Sequence, residues 1–196
     1  DYASQPFFTM ELKTGSSLQD YIQLDRKQNI LLGIYVKICD AISYAHSRKI
    51  LHLDLKPDNV QVGEYGEVIV CDWGLGKILT RKDAGEETSA YQVDADMLNH
   101  CTMYGEAKGT PAYMAPEQLE GKNKNEQTDI YALGALLYTL LVPDRLKGKS
   151  LDERLAQSRL GDLQGLSSAD LPKSLSAVIA KAMSVDFGDR YKSVED

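Results

Sequence analysis

The stretch "ILHLDLKPDNVQV", Ile50 to Val62, sets His52, Asp54, Lys56, Asp58 and Asn59 within eight positions and holds them between apolar residues. Asp, Asn and Pro are what turns use in any protein, so each polar residue taken singly reads as a turn former. Taken together with Asp72, a short way downstream, Asp54, Lys56 and Asn59 read differently. All lie on turns next to short strands, where side chains converge, and carboxylate and amide oxygens beside a lysine suit magnesium and a phosphate. Mg²⁺ keeps several waters and is held by one or two carboxylates plus substrate phosphates, so Asn59 and Asp72 suffice as protein ligands. Lys56 would meet the phosphate as a point charge.

Outward from this loop the chain organises itself by pattern. Gly63 and Gly66 bracket a turn between Val60–Val62 and Val68–Val70, which predicts a small hairpin. Upstream, Leu31, Ile34, Ile38, Ala41, Ile42 and Ala45 fall at helical spacing, and Ser16 or Ser17 is placed to cap a short helix through Leu18, Tyr21 and Ile22. "FFTMEL" at residues 7 to 12 reads as the tail of a strand. Downstream, residues 79 to 108 are polar and without periodicity, which predicts a long surface loop. "TDIYALGALLYTLL", Thr128 to Leu141, is apolar nearly all round and predicts a helix buried in the middle of a helical domain. Further helices are expected at Leu151 to Ser158 and at Leu175 to Ser184.

Composition sets bounds around this. The 196 residues suffice for one domain with a sizeable core, and a net charge of −7 with no run of Lys and Arg argues against a nucleic-acid partner. Cys39, Cys71 and Cys101 are odd in number and have no C-x-x-C spacing, so neither a disulfide framework nor a zinc site is indicated. That fits a reducing, cytoplasmic setting. The most apolar run is too short to span a bilayer, and no membrane contact is expected within this segment.

The ordered series "HLDLKPDN", "DWG" at Asp72, "APE" at Ala115 to Glu117, "DIYALG" at Asp129 and "DFGDRY" around Arg190 resembles the C-terminal lobe of a Hanks-type serine/threonine protein kinase. "DLKPDN" with "GTPAYMAPE" is similar to serine/threonine rather than tyrosine kinases, and "GEYGEVIVCDWGLGK" to bacterial ones. The resemblance implies a mainly α fold: a helical bundle around the buried helix 128–141, with a small β-hairpin next to a catalytic loop at 50–62. It implies a hinge at 1–15 and an activation segment at 72–117. It further implies Mg-ATP-dependent phosphoryl transfer to a protein Ser or Thr hydroxyl.

Residue roles follow from the same resemblance. Asp54 would orient the substrate hydroxyl and accept its proton, and Lys56 would neutralise charge on the transferred phosphoryl. Thr110 would brace both, while Asn59 and Asp72 would bind magnesium. Met10, Glu11 and Lys13 at the hinge and Gln61 beneath the base would meet adenine of ATP. His52 and Trp73 would stack, Asp129 would tie the loop's backbone to the central helix, and Glu117 would pair with Arg190.

Three departures qualify the resemblance. Only nine residues precede Met10, so the N-terminal lobe, with its glycine-rich loop, strand lysine and helix glutamate, is expected to be absent and the lobe alone inactive. "GEYGEV" is better read as a hairpin turn than as that loop. Leu53 stands where many kinases carry an arginine that grips a phosphate on the activation loop, so that pairing is not expected to be needed even though Thr80, Thr88, Ser89 and Thr102 are available for modification. Gln61 replaces the usual apolar floor under adenine, and Gly76 is expected to loosen the chain after "DWG". Two other readings remain: a pseudokinase scaffold that binds protein partners without catalysis, and a small-molecule kinase of related fold.

Overall fold

The computed structural model describes residues 15–24, 27–79, 110–147, 149–161, 163, 165–166 and 171–196, without the side chains of Thr110 and Leu151. The expected strand at 7 to 12, the hinge and most of the polar stretch from 79 to 108 lie outside the described residues.

In chain order the elements are β1 (Ser16–Ser17), α1 (Leu18–Ile22), α2 (Gln28–Ser47), β2 (Ile50–Leu51), β3 (Val60–Val62), β4 (Val68–Val70), β5 (Lys77–Ile78), α3 (Pro116–Leu119), α4 (Glu126–Leu141), α5 (Leu151–Leu160) and α6 (Lys173–Ala182). Short 3₁₀ turns lie at Pro57–Asn59, Thr110–Tyr113, Pro143–Leu146 and Phe187–Asp189. The hairpin forms as its glycines indicate, with β3 and β4 antiparallel and Gln61 opposite Ile69. β1 adds to the other side of β3, and β2 pairs antiparallel with β5. Ser17 caps α1, its hydroxyl accepting from the Asp20 N–H at 3.1 Å.

The nearly uniform apolarity of α4 has a direct cause: the helix serves two cores at once. Ala132, Leu133, Leu136 and Leu140 pack with α1, α2 and β3 through Leu18, Ile38, Ile42 and Val60. Tyr131, Ala135, Leu137 and Tyr138 face the other way, against Tyr113, Ala115, Ile179 and Met183. Every residue from Thr128 to Leu140 is buried. A helix with a partner on each side has no polar stripe to show. Removing each such Leu or Ile from water is worth roughly 1.5–3 kcal/mol, which makes α4 the chief post of the fold.

The helix starts at Glu126, two residues ahead of the run read from the sequence. Asn125 is its cap, accepting from the Gln127 N–H at 3.0 Å, while Thr128 Oγ1 accepts from the Asn125 N–H at 3.2 Å. Glu126 and Gln127 are polar first-turn residues and carry no hydrophobic period. α5 runs on to Leu160 and stops at Gly161, whose φ of 63° is left-handed. α6 begins at Lys173 and ends at Ala182, about two residues earlier at each end than its apolar face indicated.

Arg145 shows how the 3₁₀ turn Thr110–Tyr113 is fastened to α4. Its guanidinium carbon lies 5.4 Å from the Tyr113 ring centroid and 4.8 Å from that of Tyr138. Its Nε donates to Thr139 Oγ1 at 2.8 Å and an Nη to the Ala112 carbonyl at 3.2 Å. Burial lowers its pKa, and the surrounding tyrosines oppose that shift. Two aromatic faces and two acceptors thus hold a buried cation in place.

Candidate active site

The loop from His52 to Asn59 hangs from α4 by one carboxylate. Asp129, 1 % exposed, accepts the His52 N–H on Oδ2 and the Leu53 N–H on Oδ1, each at 2.8 Å. His46, on the last turn of α2, reaches the same Oδ2 with its Nε2 at 2.8 Å. Three donors from two segments converge on a side chain one turn into a buried helix, which fixes where the loop begins.

His52 then sets the loop's direction. Its ring is fully buried, Nδ1 accepts from the Asp54 N–H at 3.2 Å, and Nε2 donates to the Cys71 carbonyl at 3.0 Å. Those two partners select the tautomer with the proton on Nε2. The imidazole also meets the Trp73 ring, with centroids 4.5 Å apart and planes at 52°, a tilted contact rather than a parallel stack. Trp73 is anchored by its indole N–H, which donates to the Val70 carbonyl at 3.0 Å.

Three of the polar residues singled out above come together around one oxygen. Asp54 Oδ2 accepts from Lys56 Nζ at 2.9 Å and from Asn59 Nδ2 at 2.9 Å, and the same amide nitrogen donates to the Asp54 carbonyl at 2.8 Å. Both partners engage Oδ2, which leaves Oδ1 as the oxygen held by neither. Asn59 thus commits its amide nitrogen to Asp54 twice over. Asp72 follows directly on this cluster, because the Cys71 N–H donates to the Asn59 carbonyl at 2.8 Å, extending the β3–β4 ladder.

The backbone at both ends of the site is strained. Leu53 and Asp72 have φ of 66° and 59°, in the left-handed region. Residues with a side chain enter it at a cost of about 1–2 kcal/mol, aspartate less reluctantly than leucine. Such outliers persist where the surroundings over-determine them. Asp72 is exposed, whereas Asn59 is buried.

Gln61 sits in the middle of β3, half-buried, between Ser17 of β1 and Ile69 of β4, on the face opposite the buried Val60 and Val62. Thr110 opens the 3₁₀ turn that precedes α3, and its side chain lies outside the described residues, as do Met10, Glu11 and Lys13. Gly76 does not loosen the chain. A Cβ there would come within 2.9 Å of the Trp73 carbonyl oxygen and 3.1 Å of that of Leu51, so glycine permits a tight passage between two backbones.

Three contributors carry no signal in the sequence: His46, Gln118 and Arg145. Gln118 is buried and donates to the Leu53 carbonyl at 2.8 Å across 65 residues of sequence. The buried pair of Glu117 and Arg190, by contrast, forms as the resemblance implied, at 2.7 and 2.9 Å.

The donor set can be weighed against magnesium. Among the described residues no three His, Cys, Asp or Glu side chains gather as a metal cluster. Magnesium asks for less: one carboxylate and one amide oxygen, beside water and phosphate, are the hard donors it takes. Asn59 Oδ1 and the exposed Asp72 carboxylate supply that chemistry. Among the described residues no helix is long and apolar enough to cross a membrane.

Comparison with known proteins finds matches along nearly the whole chain. A family model described as "Protein kinase domain" matches residues 2–191. The chain is 34 % identical over 213 residues to the serine/threonine-protein kinase PknD of Protochlamydia amoebophila, covering 99 % of this chain and 22 % of that protein. It is 36 % identical over 212 residues to PknD of Chlamydia trachomatis serovar D, covering 97 % and 22 %. For PknD of Chlamydia felis the figures are 41 % over 172 residues, 84 % and 18 %. The chain therefore spans about a fifth of the length of the curated relatives it matches.

Proposed function

The chain belongs to the protein kinase family, and from that premise we propose that the protein carrying it is a serine/threonine kinase transferring phosphate from ATP to a protein hydroxyl. The observation that carries the proposal is the arrangement at Asp54. One carboxylate oxygen is held by Lys56 and Asn59, and the other is left for a hydroxyl.

Phosphoryl transfer through a loose transition state asks more of positioning than of base strength. On this reading Asp54 orients the acceptor hydroxyl through Oδ1 and takes its proton. Lys56, already fixed against Asp54, lies where charge develops on the transferred group. Thr110 would brace this pair from the activation segment. Asn59 Oδ1 and Asp72 would hold magnesium, which when bound screens the charge of the nucleotide phosphates. Gln61 would lie against the adenine, with Met10, Glu11 and Lys13 along its edge. The acceptor would be a serine or threonine, as the names of the relatives say of those proteins.

The 196 residues contain no glycine-rich loop with a strand lysine and helix glutamate ahead of Met10. We therefore expect these residues alone to transfer no phosphate, the α and β phosphates lacking their clamp. Leu53 cannot pair with a phosphate, so activity should not depend on phosphorylation within 80–109. Phosphatase treatment that abolished activity would contradict this.

Phosphoamino-acid analysis of a generic protein substrate labelled by the full-length protein tests the acceptor. Phosphoserine and phosphothreonine are expected, and phosphotyrosine alone would overturn the reading.

A further inference from the structure

Leu53, the residue before Asp54, is pinned at both ends. Its N–H donates to Asp129 Oδ1 and its carbonyl accepts from Gln118 Nε2, each at 2.8 Å. Between these bonds its φ is 66°, a conformation that a leucine keeps only when its neighbours impose it.

Gln118 is equally constrained. It is 6 % exposed, and its Oε1 accepts from the Ala115 N–H at 3.0 Å while its Nε2 serves Leu53. A carbonyl accepts only from a donor and an N–H donates only to an acceptor, so the amide has one workable orientation. Its two halves join the first turn of α3 to the peptide unit that leads into Asp54.

We propose that Gln118 is a positioning residue that sets the Leu53 carbonyl, and through it the direction in which Asp54 is presented, from the segment at 110–119. The link is neutral, and it works without a phosphate. The role rests on the kinase reading of Asp54 given above. Asp129 fixes where the loop starts; Gln118 fixes the rotation of the peptide that follows.

The decisive variant is Gln118→Glu in the full-length protein. A glutamate has the same shape and still accepts from Ala115, but when ionised it turns an acceptor toward the Leu53 carbonyl and drives it away. The expected result is a fall in kcat of about tenfold or more, the effect of losing one buried hydrogen bond and gaining a repulsion. KM for ATP should stay near that of the parent, and kcat is read well below the melting temperature, which the buried carboxylate lowers.

A protonated carboxyl donates from one oxygen and accepts on the other, as the amide does. The ratio of variant to parent activity should therefore rise as pH is lowered. Gln118→Ala should show a fall in kcat with no such recovery.

A Gln118→Glu protein with kcat within twofold of the parent would overturn the proposal. So would a loss of kcat that tracks a loss of melting temperature and is flat with pH, since that is the mark of a merely structural residue. Failure of the kinase reading shows separately, as absence of Asp54-dependent labelling in the parent. Amide hydrogen exchange over 53–56 then still reads the link: faster exchange in Gln118→Glu supports it, and equal exchange overturns it.

Discussion

Arg190 meets Glu117 through two parallel hydrogen bonds of 2.7 and 2.9 Å, with both side chains out of solvent. The two ends of the pair are not equivalent. Arg190 also donates to the carbonyls of Ser184, Gln127 and Val185 and lies 4.9 Å from the Tyr131 ring centroid. Among the described residues the bonds found for the Glu117 carboxylate all come from Arg190.

Removing the arginine therefore strands a buried carboxylate and takes a donor from three carbonyls, whereas removing the glutamate leaves the arginine other acceptors. Arg190→Ala should cost about 3–5 kcal/mol, the range for breaking a buried pair, and Glu117→Ala measurably less. Urea unfolding of the two variants checks the order. Equal losses would show that the three carbonyls contribute nothing.

The crossing of α4 and α6 allows a second prediction. A Cβ on Gly134 would meet the Cβ of Ala182 at 2.7 Å and the Cγ of Met183 at 2.9 Å, so the helices touch at a point with no room for a methyl group. Gly134→Ala gains helix propensity but must push α6 outward. Overpacking of this kind costs about 1–3 kcal/mol, which exceeds the propensity gain of about 1 kcal/mol. Thermal denaturation should show a lower melting temperature for the variant, and an unchanged or higher one would mean that the helices slide apart freely.

Burial pushes the Cys39 thiol up from 9.0 to about 11, with the Tyr35 side chain opposing through a hydrogen bond. The neutral thiol is thus favoured in the folded protein. This contribution to stability is complete below about pH 9 and is lost as pH rises through about 11. At pH 8 the folded thiol should carry about a hundredfold less thiolate than in the unfolded chain. Alkylation by iodoacetamide, mapped by mass spectrometry, should be slow at Cys39 until denaturant is added. Equally fast labelling of folded and unfolded protein would contradict the burial.

Much of this architecture is legible in the amino-acid order, and the reasons differ by element. The hairpin reads because Gly63 and Gly66 punctuate it, and α4 because a helix with cores on both sides has no polar face to obscure it. Asp54, Lys56 and Asn59 read as a group because they are close in sequence as well as in space. His46 and Gln118 do not. Each looks like an ordinary polar helix residue, and its partner lies 83 or 65 positions away. β2 and β5 escape notice because two-residue strands carry no period. Arg145 reads as part of a turn, since nothing local shows that Tyr113 and Tyr138 will close over it.

Incorporation of labelled phosphate from Mg-ATP into a generic basic protein substrate, by the full-length protein beside its Asp54→Asn variant, tests the central claim most directly. Asparagine keeps the shape at Asp54 but cannot take the hydroxyl proton, so incorporation should fall by at least about a hundredfold while the fold is retained. Equal incorporation by the two proteins, or none by either, would contradict the claim and leave a protein-binding scaffold as the better account.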